Sequence, residues 1–248
     1  MHRILVPLDS HDPESWQYAL AYVDQIGKAR GQHGDVILLV HTRHQIDGSS
    51  LSGHMGSGHA KALNAGKSMK LPFGGSLRLA TLKTLGHVLK DTIIIAFFAD
   101  EKMLGAVDDR RGLAGVVVVP DFTDSANEWA SRWSPVVHGQ SQPVAQPLID
   151  DRIVEAALGC LTRMINLSTG LSNPRDKDAA NEILRILEYK GHVIDLVKLR
   201  SWAIQNGWRS GDAHDLSQLA GKIGSLKNKP SMAKIYNWQD RYERWASV

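Results

Sequence analysis

Toward the C-terminus stand seven residues of the kinds that grip a polyanion: Lys198, Arg200, Asn206 and Arg209, then Lys222, Lys227 and Lys229. Lysine and arginine neutralise phosphates and release counterions, and asparagine or arginine carries donors able to reach a base edge. Residues 196–234 hold seven basic side chains against two acidic ones, so nucleic acid is the expected partner of this stretch. A second set follows short apolar runs: Asp9 and Ser10, Thr42, then Gly74, Gly75 and Ser76, then Asp100 and Asp121. In an open parallel sheet, ligands collect where such loops leave the carboxyl ends of the strands. A glycine turn opening a helix would offer bare amides to a phosphate or carboxylate. These residues are therefore expected to form a ligand-binding rim for a small anionic ligand or a protein partner.

Several familiar chemistries lack their motifs. Gly66, Lys67 and Ser68 look like the end of a phosphate loop, but the glycine needed five residues earlier is Lys61. No GxGxxG follows the first apolar run, and no HExxH occurs among the eleven histidines. His54 and His59 are five apart, which puts them on different sides of a helix, so no metal is expected. Gly56, Ser57 and Gly58 are only a fragment of a nucleophile elbow. Asp100 with Glu101 could do acid or base work if a pocket raised one pKa. Catalytic residues and cofactor are therefore unknown. The alternative to a binding protein is an enzyme acting on a nucleotide or nucleic acid at the sheet's carboxyl edge.

The elements that must position these residues are read from apolar periodicity. Runs at 4–8, 36–40, 69–72, 93–98 and 115–119 predict five strands. Trp16, Ala19, Leu20, Val23 and Ile26 recur at helical spacing, as do Leu77, Leu82, Leu85 and Leu89 with Ser76 as N-cap. Short helices are expected at 100–107 and 125–133, and a weak one at 49–66. Alternation of strand and helix argues for one parallel sheet covered on both faces. Residues 134–147 carry three prolines and three glutamines with little apolar periodicity, the composition of a linker. Beyond it only helical spacing remains: Ile153, Ala157, Leu161 and Ile165, then a helix from Pro174 capped by Asn173, then helices begun by Asp195 and Asp212, then Trp238, Tyr242 and Trp245.

The first 42 residues resemble the start of the universal stress protein family, through the run 4–9 ending in Asp9, the helical stretch 19–23 and the second strand 36–41. The resemblance implies a strand, helix, strand order with Asp9 on the ligand side. It does not extend to that family's glycine-rich ATP motif, which has no counterpart ahead of 115–119. Over a few residues, 200–207 resembles the small helical DNA-binding region of actinobacterial nucleoid proteins, without their Arg-Gly-Arg turn.

Composition agrees with an ordinary globular chain: 43% hydrophobic and 22% charged over 248 residues. The net charge of +3 is uneven, since residues 1–142 have 14 basic and 14 acidic side chains and residues 143–248 have 15 and 12. One cysteine, Cys160, allows no intrachain disulfide and points to a reducing, cytoplasmic setting. No secretion signal and no run long enough to span a membrane is read in the sequence. The expected architecture is an α/β chain: a five-stranded, mostly parallel, Rossmann-like three-layer domain at 1–135, a linker at 136–149 and a helical domain at 150–248. The Trp238 to Trp245 stripe also allows a homo-oligomer.

Overall fold

The computed structural model describes residues 1–86, 88–141, 144 and 146–248, so His87 and the linker positions Gln142, Pro143 and Ala145 lie outside the described residues. The chain divides into two compact units, Met1–Ala145 and Gln146–Val248.

In the first unit, strand β1 (His2–Leu5) leads into helix α1 (Pro13–Arg30), which Asp12 caps by accepting from the Glu14 amide and Gly31 ends in the left-handed conformation. Strand β2 (Asp35–Val40) is followed by three short helices, α2 (His44–Asp47), α3 (Ser50–Met55) and α4 (Ser57–Asn64). Next come β3 (Met69–Lys70), β4 (Ser76–Thr81) and β5 (Val88–Ala99). Helix α5 (Glu101–Asp108), β6 (Arg111–Pro120), α6 (Asn127–Trp133) and β7 (Val136–Val137) complete the unit.

The sheet has seven strands rather than five, in the order β3-β4-β2-β5-β6-β1-β7, all parallel except the β3 to β4 pair. Both its faces are covered, as continuous apolar strands require. Along β2, Val36, Leu38 and Val40 face a core with Trp16, Ala19, Val23 and Ile26 of α1 and with Ile46, Leu51 and Leu63 of α2 to α4. Ile37 and Leu39 face the opposite core, with Met103, Leu104 and Val107 of α5 and Trp129 of α6.

One predicted helix is overturned. Apart from His87, which lies outside the described residues, the stretch 77–89 is strand β4, a turn at 82–84 and the start of β5. Gly86 and the Leu77, Arg78, Leu79 alternation are the local signals against a helix, and β4 pairs with β2 from Asp35↔Ser76 to Val40↔Thr81. Gly74 and Gly75 accordingly make the tight turn of the β3 to β4 hairpin, with φ of 101° and 79°. A Cβ on Gly75 would sit 2.4 Å from the Gly34 carbonyl oxygen, so the glycine is required by backbone crowding.

The second unit is helical: α7 (Arg152–Met164), a 3₁₀ turn at Gly170–Ser172, α8 (Pro174–Lys190), α9 (Leu196–Gln205), α10 (Ser210–Gly224) and α11 (Trp238–Ala246). Asp151, Asn173 and Asp195 cap α7, α8 and α9 through their side chains, which satisfies first-turn amides that have no helical partner. Leu158, Leu161, Ile183, Leu187, Leu199, Ala203 and Leu216 are fully buried in its core. The Trp208 indole donates to Thr162 Oγ1 at 2.9 Å and ties the α9 to α10 turn to α7. Among the described residues, no helix is long and apolar enough to cross a membrane.

Candidate functional site

At the carboxyl edge of the sheet the chain leaves β1 and β2 for helices on one face, and leaves β5 and β6 for helices on the other. The connections therefore diverge at two crevices, between β2 and β5 and between β6 and β1, where ligands of open α/β sheets sit. His41 and Asp100 face each other across the first, with Nε2 3.5 Å from Oδ1. The same Asp100 oxygen caps α5 by accepting from the Met103 amide at 2.8 Å. The Thr42 amide donates to Gln45 Oε1 at 3.1 Å. Across the second crevice the fully buried Ser10 donates to the Asp121 carbonyl at 3.4 Å, while its own carbonyl faces Ser50 Oγ at 3.1 Å and His54 Nε2 at 3.3 Å.

Phe98 marks this edge with backbone strain. It is buried and non-glycine, yet has φ of 60°, at an irregularity between Phe97 and Ala99 in the β5 to β6 register. The irregularity turns Phe97 and Phe98 into one core, their rings edge to face at 4.9 Å, and sets the direction in which Asp100 leaves the strand.

Asp9, Ser10, Thr42, Asp100 and Asp121 thus share one rim. Gly74, Gly75 and Ser76 do not, because their hairpin lies before β4, at the opposite edge, and Ser76 Oγ there donates to Asp35 Oδ1 at 2.9 Å. The expected small anion at the rim loses its support with them. What remains is a row of carboxylates, and the His11 amide and ring hold the Asp9 carboxyl below its usual range, as an anion. Ser10, His11 and Asp9 also fail as a nucleophilic relay. Such a relay uses both imidazole nitrogens, whereas His11 Nδ1 faces both Asp9, at 2.8 Å, and Ser10, at 3.4 Å. Among the described residues, no group of three or more His, Cys, Asp or Glu is placed to hold a metal ion.

Sequence reading passed over a buried ion cluster between α5 and α6. The Arg132 guanidinium, with its side chain fully buried, donates to Asp108 Oδ2 at 2.9 Å, Glu128 Oε1 at 3.0 Å and Glu101 Oε2 at 3.1 Å. The Trp129 and Trp133 indoles donate to Asp108 as well, and the Arg3 guanidinium lies 3.4 Å from the centre of the Trp133 ring. Burial pushes the Asp108 and Glu101 carboxyls up and the Arg3 guanidinium down, each partly opposed by the opposite charges nearby. Glu101 Oε1 and Arg3 Nε are buried there without a hydrogen-bond partner, while the charges themselves are paired within the cluster, whose place is structural. The only sequence sign was Glu128 four residues before Arg132.

In the helical unit the expected nucleic-acid residues do not form one patch. Ser217 Oγ, in the middle of α10, donates to the Leu196 carbonyl, and a Cβ on Gly221 would lie 3.1 Å from Leu196 Cδ1, so the second half of α10 lies beside the start of α9. Lys198 and Lys222 therefore fall at one end of this helix pair and Asn206 and Arg209 at the other. Lys198 pairs with Asp150 at 3.0 Å, and Asn206 donates back to the Trp202 carbonyl at 2.9 Å. Arg200 is half-buried, while Lys227 and Lys229 are exposed beyond α10. The exposed side of α10 carries His214, Asp215, Gln218 and Lys222, a nearly neutral surface.

Positive charge gathers instead in a groove that, of those seven residues, Asn206 alone lines. A groove of 1210 Å³ runs between α7 and α11, bounded also by the end of α9. Arg152, Arg163, Arg241 and Arg244 line it against two carboxylates, Glu155 and Glu182. Arg241 is held by Glu182 at 2.7 Å, whereas Arg152, Arg163 and Arg244 are exposed. Trp202 and Trp245 form an apolar floor, 5% and 6% exposed, and Tyr236 stands at the lip, 83% exposed. The sequence separates these arginines by up to 92 positions, from 152 to 244, so only the packing of α11 on α7 reveals the group.

By its elements the protein is a parallel-sheet α/β unit joined to an all-helical unit. Residues 150–246, nearly the whole of the second unit, match a family described as a domain of unknown function, DUF1889. No curated protein and no solved structure matches the chain.

Proposed function

We propose that the chain is a two-part binding protein: the helical unit holds nucleic acid in the arginine-lined groove, and the α/β unit takes a ligand or a protein partner at its sheet rim. The observation that carries this reading is the excess of guanidinium over carboxylate in a groove with an apolar floor. Guanidinium forks match phosphate geometry and release counterions on contact. The unpaired Cys160 suits a reducing, cytoplasmic setting for such a protein.

The test is fluorescence anisotropy of the intact chain with a labelled oligonucleotide across a salt series. Log affinity should fall linearly with log salt. Arg163→Ala with Arg244→Ala should weaken binding to all sequences and reduce the slope by about 1 to 2. Binding that is absent, or indifferent to salt, would refute the proposal.

A further inference from the structure

We propose that the nucleic acid held in the groove is single-stranded, its bases stacking on Tyr236 and its phosphates meeting Arg163 and Arg244; this rests on the nucleic-acid reading above. Tyr236 is the groove's one strongly exposed aromatic, at 83%, whereas Trp202 and Trp245 are already committed to the core. A ring left in water beside guanidinium groups is what a base stacks on, and every base has a π-face, so stacking needs no particular sequence.

The stripe of α11 that ends in the groove's Trp245 repeats the pairing of ring with cation. Tyr189 and Trp238 meet edge to face at 5.1 Å. Lys190 Nζ lies 4.3 Å from the Tyr242 ring centre and 5.5 Å from that of Trp238, and Lys229 Nζ lies 5.4 Å from that of Tyr189. Helix α11 thus carries Arg241 and Arg244 at the groove and, on the stripe that Trp238 and Tyr242 share with the groove's Trp245, half-exposed rings beside lysines, an interleaving that suits a flexible strand following the helix.

A duplex fits this surface poorly. Its bases are stacked on one another, and a ring could enter only by unstacking a step. Reading the major groove needs a projecting element, yet the arginines line a concavity and the exposed side of α10 is nearly neutral. An acidic peptide would satisfy the guanidinium groups but leave Tyr236 with no partner of its own kind.

The experiment measures affinity of the intact chain for an oligothymidylate and an oligouridylate of about 15 nucleotides, a length near the site size of single-strand binders, and for a duplex of equal length. Poly-glutamate serves as competitor. Single strands are expected to bind at least about tenfold tighter than the duplex. Tyr236→Ala should lose about 5- to 150-fold while Tyr236→Phe stays within about twofold, since the ring and not the hydroxyl does the stacking. The DNA and RNA arms separate the two sources of a single strand. Duplex binding as tight as single-strand binding, or an unchanged affinity in Tyr236→Ala, overturns the inference and leaves the nucleic-acid reading standing. Poly-glutamate competing as well as an unlabelled oligonucleotide overturns it in favour of an acidic partner. If no oligonucleotide binds, the nucleic-acid reading itself fails. Tyr236 is exposed, so its replacement does not endanger the fold.

Discussion

Without the Arg132 guanidinium, the carboxylates of Asp108, Glu101 and Glu128 would be left facing one another at close range, with the Asp108 side chain fully buried. Breaking a buried ion group by removing one partner typically costs about 3 to 5 kcal/mol, because the charge left behind is neither solvated nor paired. Arg132→Ala is expected to lose that much in denaturant unfolding, and Arg132→Lys to recover only part, since an ammonium cannot span several carboxylates as a planar fork does. A loss below about 1 kcal/mol would mean that water enters and solvates the acids. The cluster also bears on Glu101, which sequence paired with Asp100 as a possible acid and base. Burial raises its pKa, but its Oε2 is held by Arg132, so the shift belongs to packing and not to a site open to substrate.

Among the elements, α7 depends on Asp151. This carboxylate accepts from the Ile153 and Val154 amides and reaches His192 Nδ1 at 2.6 Å, while His192 Nε2 lies 3.0 Å from the Tyr242 hydroxyl. Partial burial works against its ionisation, but the His192 bond and the two amides outweigh that and hold the carboxyl below 3.8. A carboxyl depressed in the folded state contributes stability above its unfolded pKa, and that contribution is lost as pH falls through the folded value. Unfolding of the chain followed from pH 6 down to about 2 should therefore show an acid loss beginning near 3.8 that is shallower in Asp151→Asn. An unchanged acid limb would rule out this cap as its source. Element by element, caps and periodicity were readable: Asn173 before Pro174, Asp195, and the α1 stripe all stand where local pattern places them. The hairpin was not. Leu82, Leu85 and Leu89 kept a helical rhythm by chance, and strand pairing with residues forty positions away decided the matter. For the site the same division holds: rim residues follow from strand ends, whereas the arginine group exists only after α7 and α11 pack.

For the molecule as a whole, the boundary at 145 and 146 separates two bodies, each with its own core. All groove residues belong to the second, so residues 146–248 prepared alone should be helical by circular dichroism and bind the oligonucleotide within about threefold of the intact chain. A helical but non-binding fragment would place part of the grip in the first unit. The seven-stranded sheet, for its part, ends in β3 and β7, each of two residues. Because β3 covers only Ser76 and Leu77, what an incoming chain could join on that border is the four-residue stretch 78–81 of β4, a short ladder that limits edge-to-edge growth even though the inner strands are among the most aliphatic stretches of the protein.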